Sequence, residues 1–143
     1  MPNPEVTAES IGAMLADTAP SYPHGLAIEP LSIDDERSVG AITVAELHLH
    51  PGKLVHGGVW TGLGDTVAAW QTFRHLEPGQ NFTTIELKLN AFAGARLGDR
   101  LIATARHLHR GRSTHVIEVR IERGEGADAK LAANLIVTQF VIA

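Results

Sequence analysis

The segment "VHGGVWTGLGDTVAAW", residues 55–70, decides how the chain is read. It opens on a histidine and two glycines, then places Leu63, Val67, Trp70 and, just beyond it, Phe73 at three- and four-residue intervals without a proline. That spacing predicts a helix from Gly58 to about His75 with one buried stripe, closed by Pro78 and Gly79. A lone acid, Asp65, stands in its middle. The first N–H groups of a helix have no intrahelical partner and the dipole adds partial positive charge there, so Gly57 and Gly58 can bring backbone donors close to a carbonyl oxygen. An oxyanion site requires such donors. Asp65 lies roughly 10 Å further along the axis at 1.5 Å per residue, out of reach of a carbonyl held at its own helix's N-terminus. Two such helices side by side in opposite directions would bring the N-terminus of one to the middle of the other. A catalytic use of both features therefore predicts at least a dimer, with sites built from two chains.

Outward from this helix, "TAESIGAMLADTAP" (7–20) reads as a short helix with Thr7 or Ser10 as cap and Pro20 beyond its end. "GLAIEPLSID" (25–34) and "RSVGAITVAELHLH" (37–50) alternate with period two and predict strands, the second stopped by Pro51 and Gly52. After the long helix come four more: "NFTTIELKLNAFA" (81–93), "DRLIATARHLHR" (99–110), "STHVIEVRIER" (113–123) and "KLAANLIVTQFVIA" (130–143). Short loops without crossover helices predict that these four pair antiparallel. The order is α+β, a single sheet curled around the long helix. No repeat or linker divides the 143 residues, so one domain is expected, with 1–23 as an N-terminal helical extension.

Composition narrows the function classes. With 44% hydrophobic and 20% charged residues the chain is no candidate for disorder. A formal net charge of −4 offers no global attraction to nucleic acid. The absence of cysteine excludes disulfides, thiolate zinc and a cysteine nucleophile. No segment approaches the ~20 apolar residues that span a bilayer and no leader pattern opens the chain, so a soluble cytoplasmic protein without membrane partners is expected.

"HGGVWTGLGDT" (56–66) resembles the H-G-G-x-x-x-x-L-x-D/E element of the hotdog-fold thioesterases, in particular the PaaI-like (phenylacetate-degradation type) acyl-CoA thioesterases. The resemblance runs from about Gly25 to the C-terminus and includes "HRGR" (109–112), similar to the family's H-x-G-R turn. It implies a hotdog fold, an antiparallel sheet of about five to six strands around one long helix, and hydrolysis of acyl-CoA without a cofactor or metal. It implies a homodimer with composite sites that can pair further into a tetramer. By position, Asp65 becomes the catalytic carboxylate, as nucleophile or as general base for water. The Gly57 N–H polarises the thioester carbonyl, Gly58 opens the helix, and His56 holds the turn. Where the family usually has Asn or Gln, six residues before this histidine, the chain has His50, which can also donate a hydrogen bond. Thr84 takes the place of a Ser or Thr that orients the acid or its water, with Thr83 as its neighbour if the register slips. "FAG" (92–94) departs from the aromatic or leucine followed by Arg-Pro or Ser-Pro found in many relatives. Arg110 and Arg112, with Arg96 behind them, are candidates for the CoA phosphates, because guanidinium forks suit phosphate oxygens. Trp60 and Phe82 are candidates for the acyl-pocket wall.

Competing readings remain. His48, His50 and His56 could form a metal triad if a strand projects the first two rings to one face, although no carboxylate ligand accompanies them. A hotdog-fold hydratase or dehydratase would use His50 in proton transfer, and a non-catalytic acyl-CoA binding module would not need Asp65. Serine nucleophile and phosphate-loop motifs are absent.

Overall fold

The computed structural model describes residues 1–143. Helix α1 (Ala8–Asp17) and the single turn α2 (Tyr22–Gly25) precede strands β1 (Glu29–Ile33) and β2 (Ser38–Thr43). The long helix α3 (Gly57–Arg74) is followed by β3 (Asn81–Ala91), β4 (Arg100–Arg110), β5 (Thr114–Arg123) and β6 (Lys130–Ile142). All six strands form one antiparallel sheet in the order β1-β2-β4-β5-β6-β3. The sheet packs on α3 through every strand, so the helix that carries Asp65 is the fold's axis.

Leu63 and Val67 are fully buried on α3 and meet inward-facing Ala103, Ala105, Ile117, Val119, Leu135 and Val137 in one continuous core. Two glycines make the approach of helix and sheet close enough. A Cβ on Gly64 would lie 2.6 Å from Leu135 Cδ2, and one on Gly40 would lie 2.7 Å from the Trp70 ring. Helix α1 belongs to the same core through Ile11 and Leu15. Its cap is reciprocal: the Thr7 hydroxyl accepts from the Ser10 N–H at 3.1 Å, and the Ser10 hydroxyl accepts from the Thr7 N–H at 2.9 Å.

Four expectations are corrected. The second strand stops at Thr43 instead of running to His50, and Glu46–His48 form a 3₁₀ turn. The cause is His48, whose Nδ1 accepts the Ala45 N–H at 2.8 Å while Nε2 donates to the Leu26 carbonyl at 2.7 Å, burying the ring completely. The first strand begins only at Glu29, because Tyr22–Gly25 are helical and Ala27 turns the chain with φ 56°. Finally, β3 does not pair with β4. It pairs with β6 at one edge of the sheet, while β4 pairs with β2 and β5. Phe73 also leaves the buried stripe, 38% exposed at the mouth of a cavity described next.

Candidate active site

Asp65 is half-buried at the middle of α3 and lines a cavity of about 470 Å³. Its apolar walls come from three directions, Ile11, Met14 and Leu15 of α1, Trp70 and Phe73 of α3, and Phe82 at the start of β3, with Thr66, Asn81 and Thr83 as polar neighbours. Across this cavity the Thr84 hydroxyl donates a 2.7 Å hydrogen bond to Asp65 Oδ1. The register of β3 is thus the one that brings Thr84 to the acid, with Thr83 on the exposed face although it also borders the cavity. A bulge follows at once, between Thr84 and Glu86, and resets which side chains of β3 point inward.

The N-terminus of α3 forms a second, shallower groove of about 330 Å³, where His50, Gly57, Trp60 and the Phe92–Gly94 segment meet. His56 caps the helix, its Nδ1 accepting the Gly58 N–H at 2.8 Å. The Gly57 N–H, one residue earlier, has no acceptor anywhere in the chain. A side chain at Gly57 would point into open space, so the donor is approachable from outside. His50 Nδ1 accepts from the Gly52 N–H at 2.9 Å. In the neutral ring the proton is then on Nε2, which makes that nitrogen a hydrogen-bond donor and not a base. With His48 buried in its turn and both ring nitrogens engaged, the histidine triad of the metal reading is not assembled.

Within one protomer the predicted residues therefore fall into two groups. Asp65, Thr84 and Phe82 share one cavity; His50, Gly57 and Trp60 share the other. Arg110 and Arg112 join neither. They border a third cavity of about 470 Å³ past the C-terminal end of α3, with His75, Gln80 and His115. There Arg110 Nη1 donates to His75 Nδ1 at 2.5 Å, and the His75 Nε2–H donates to the Asp35 carbonyl at 2.9 Å. The ring of His107 stands edge-on to His75 at 5.0 Å and to His115 at 4.8 Å, with His107 Nε2 3.0 Å from His115 Nδ1. Burial, reinforced by the neighbouring histidines and Arg110, depresses His107 to about 3. His115 is lowered to about 4, again chiefly by burial. Arg96 lies apart from all three cavities, its N–H fixed by Asp99 in the turn before β4.

A family model described as the thioesterase superfamily matches residues 52–130, more than half of the chain and including α3 with both of its glycine and acid features. The chain belongs to the thioesterase superfamily. Among its relatives, the 1,4-dihydroxy-2-naphthoyl-CoA hydrolase of Listeria monocytogenes is 30% identical over 96 residues, which are 67% of this chain and 77% of that protein. The crystal structure of a mutant of thioesterase PA1618 from Pseudomonas aeruginosa is similar with a TM-score of 0.84 and 26% identity, over 94% of this chain and 93% of that one. The E. coli PaaI protein from the phenylacetic acid degradation operon has the same fold, with a TM-score of 0.80 at 24% identity over 94% and 92%. The expected hotdog architecture and enzyme class are thereby established for this thioesterase, its six strands within the expected five to six. No helix of the thioesterase is long and apolar enough to cross a membrane.

Sequence reasoning missed the α1 contribution to the Asp65 cavity, because nothing in a capped amphipathic helix says which site it borders. It also missed Gln139. Leu135, Val137 and Gln139 occupy the inward side of β6, all fully buried, so an amide stands where the period-two pattern calls for an apolar residue. That break in alternation was the available signal.

Proposed function

We propose that this thioesterase hydrolyses acyl-CoA thioesters, with each site shared between two protomers. The observation that carries the reading is a carboxylate, oriented by the Thr84 hydroxyl, set in a largely apolar cavity. Such a cavity suits an acyl chain or ring, and the carboxylate stands where the thioester carbon would enter. The free N–H of Gly57 in the partner subunit supplies the carbonyl's donor, with the helix dipole behind it. The His50 Nε2–H, on the same groove, stands in for the amide usual in this family. His56 holds the turn.

In the reaction, water adds to the thioester carbon and gives up a proton to Asp65. The oxyanion accepts from Gly57, and collapse of the tetrahedral intermediate breaks the C–S bond, releasing the carboxylic acid and CoA once the thiolate regains that proton. Direct attack by Asp65 would pass instead through an acyl anhydride that water then opens. Label in Asp65 after a single turnover in H₂¹⁸O identifies an anhydride opened at the Asp65 carbonyl, because direct attack of water places the label in the product acid alone. Two facts support the dimer. Strand β3 pairs on one side only, leaving an eleven-residue edge open, and Ile85 is exposed on it. Gly57 and Asp65 also line separate cavities in one protomer. Arg110 and Arg112 are exposed cations suited to the CoA phosphates. We read the whole of residues 1–143 as one such domain, active in the cytoplasm, and as able to assemble further into tetramers.

The test is hydrolysis of acetyl-, hexanoyl-, palmitoyl-, benzoyl- and phenylacetyl-CoA by native protein and by Asp65→Asn. Turnover of at least one thioester, lost in the variant, is expected. No turnover on any, or equal turnover by the variant, overturns the reading.

A further inference from the structure

We propose that Gln139 is a positioning residue for Asp65, acting through Thr84; the inference rests on the reading of Asp65 as the catalytic carboxylate. A continuous hydrogen-bonded chain runs from the site into the core. Thr84 Oγ1 donates to Asp65 Oδ1 at 2.7 Å, and Gln139 Nε2 donates to Thr84 Oγ1 at 3.4 Å. At the far end Thr72 Oγ1 donates to Gln139 Oε1 in a short contact. Gln139 and Thr72 are fully buried. Thr84 and Gln139 are direct cross-strand partners of β3 and β6, and Thr72 sits two turns beyond Asp65 on α3, so the chain closes a loop between helix and sheet.

The direction of every bond follows from the acid. An ionised carboxylate only accepts, so Thr84 must spend its single proton on Asp65. Its oxygen then needs a donor behind it, which the Gln139 –NH₂ supplies. The amide oxygen in turn faces Thr72, whose hydroxyl donates. Without Gln139 the Thr84 hydroxyl can rotate toward other acceptors, and Asp65 loses the contact that selects its rotamer. The residue has no route to substrate: it is buried behind Thr84 and lines none of the cavities described above. A buried amide in an apolar strand is costly unless bonded, and here a donor is engaged by Thr84 on the side of the site while the acceptor is held by Thr72 behind it.

The experiment measures kcat and KM for Gln139→Leu, Thr84→Val and the double variant on the fastest thioester of the panel above, beside Asp65→Asn. Gln139→Leu is expected to lower kcat about tenfold, about 1.4 kcal/mol in barrier, with KM unchanged. In the Thr84→Val background the same change is expected to have no further effect, because its only path to the acid has been removed. A purely structural role would lower kcat equally in both backgrounds, and that outcome overturns the proposal, as does native kcat in Gln139→Leu. Thr72→Val, which leaves the amide in place but unanchored, is a second variant in case Gln139→Leu does not fold. It should lower kcat in the same direction and likewise lose its effect beside Thr84→Val; full native kcat in a folded Thr72→Val also overturns the proposal. Asp65→Asn separates the two levels: if it retains activity the carboxylate reading falls and takes this one with it, whereas a dead Asp65→Asn with a neutral Gln139→Leu removes only the positioning role.

Discussion

Gly57 and Asp65 stand eight residues apart on one helix and open into different cavities of the protomer. At 1.5 Å per residue they are separated by about 12 Å along the axis, too far to act on one thioester. Two variants dead for different reasons should therefore complement. When Asp65→Asn and Gly57→Val subunits are unfolded together and refolded at equal ratio, about one quarter of native activity is expected, since half the dimers are mixed and each mixed dimer holds one intact site. Absence of recovery from well-folded mixed dimers, or an active monomer by light scattering, would rule out the shared site.

Gly57→Val itself is expected to fold, because a Cβ at this position would meet nothing within 4 Å. It should nevertheless reduce kcat by about 10²-fold or more, the usual contribution of one oxyanion donor. Circular dichroism and kcat on the same preparation check both halves of the expectation.

For His50, the nitrogen engaged with Gly52 leaves a donor on the groove. His50→Gln and His50→Asn should keep substantial hydrolysis, whereas His50→Ala should lose about 10²-fold in kcat if the donor contributes as oxyanion contacts usually do. A hydratase mechanism would instead be lost equally in all three, since an amide is no base at neutral pH.

The cluster under the β4–β5 hairpin makes stability depend on pH. His107 and His115 are depressed to about 3 and about 4 from an ordinary 6.5, with burial the main cause, and His75 is lowered as well. Between those values and 6.5 the unfolded chain binds more protons than the folded one, so stability must fall as pH drops through this window and stay flat above it. Melting temperature should begin to decline just below pH 6.5, above the range where carboxylates titrate. The slope between pH 6.5 and 4.5 should be shallower in His107→Leu. An unchanged slope would mean these rings are not what the protons find.

Gly64→Ala replaces a poor helix former by the best one, a gain of about 1 kcal/mol in an isolated helix. In this fold the added methyl would lie 2.6 Å from Leu135 Cδ2, and overpacking costs about 1–3 kcal/mol. The variant should melt lower than native protein; a higher melting temperature would show that Leu135 gives way freely.

The sequence makes α3 legible to within a residue because its apolar spacing, its glycine entry and its Pro-Gly exit all agree. The sheet is legible as strands but not as an order, since alternation records which face is buried and says nothing about which neighbour is paired. That is why chain order alone puts β3 beside β4, whereas it lies beside β6. His48 misleads for a related reason: its imidazole replaces a strand's ladder by bonding the Ala45 N–H of its own turn and the distant Leu26 carbonyl, an option that a period-two pattern does not encode. Asp65, Gly57 and Thr84 are readable as candidates from the motif and from counting along β3. The cavity walls from α1 are not, because they depend on where a helix far away in sequence comes to rest.

The placement of β3 has a consequence in time. A chain made from its N-terminus contains Asp65 and Thr84 before residue 139 exists, yet β3 has no partner strand until β6 is laid beside it. Only then is Thr84 held against the acid. A nascent chain shorter than that therefore carries the motif without the site, and the residues of β3 have no strand to pair with until β6 follows.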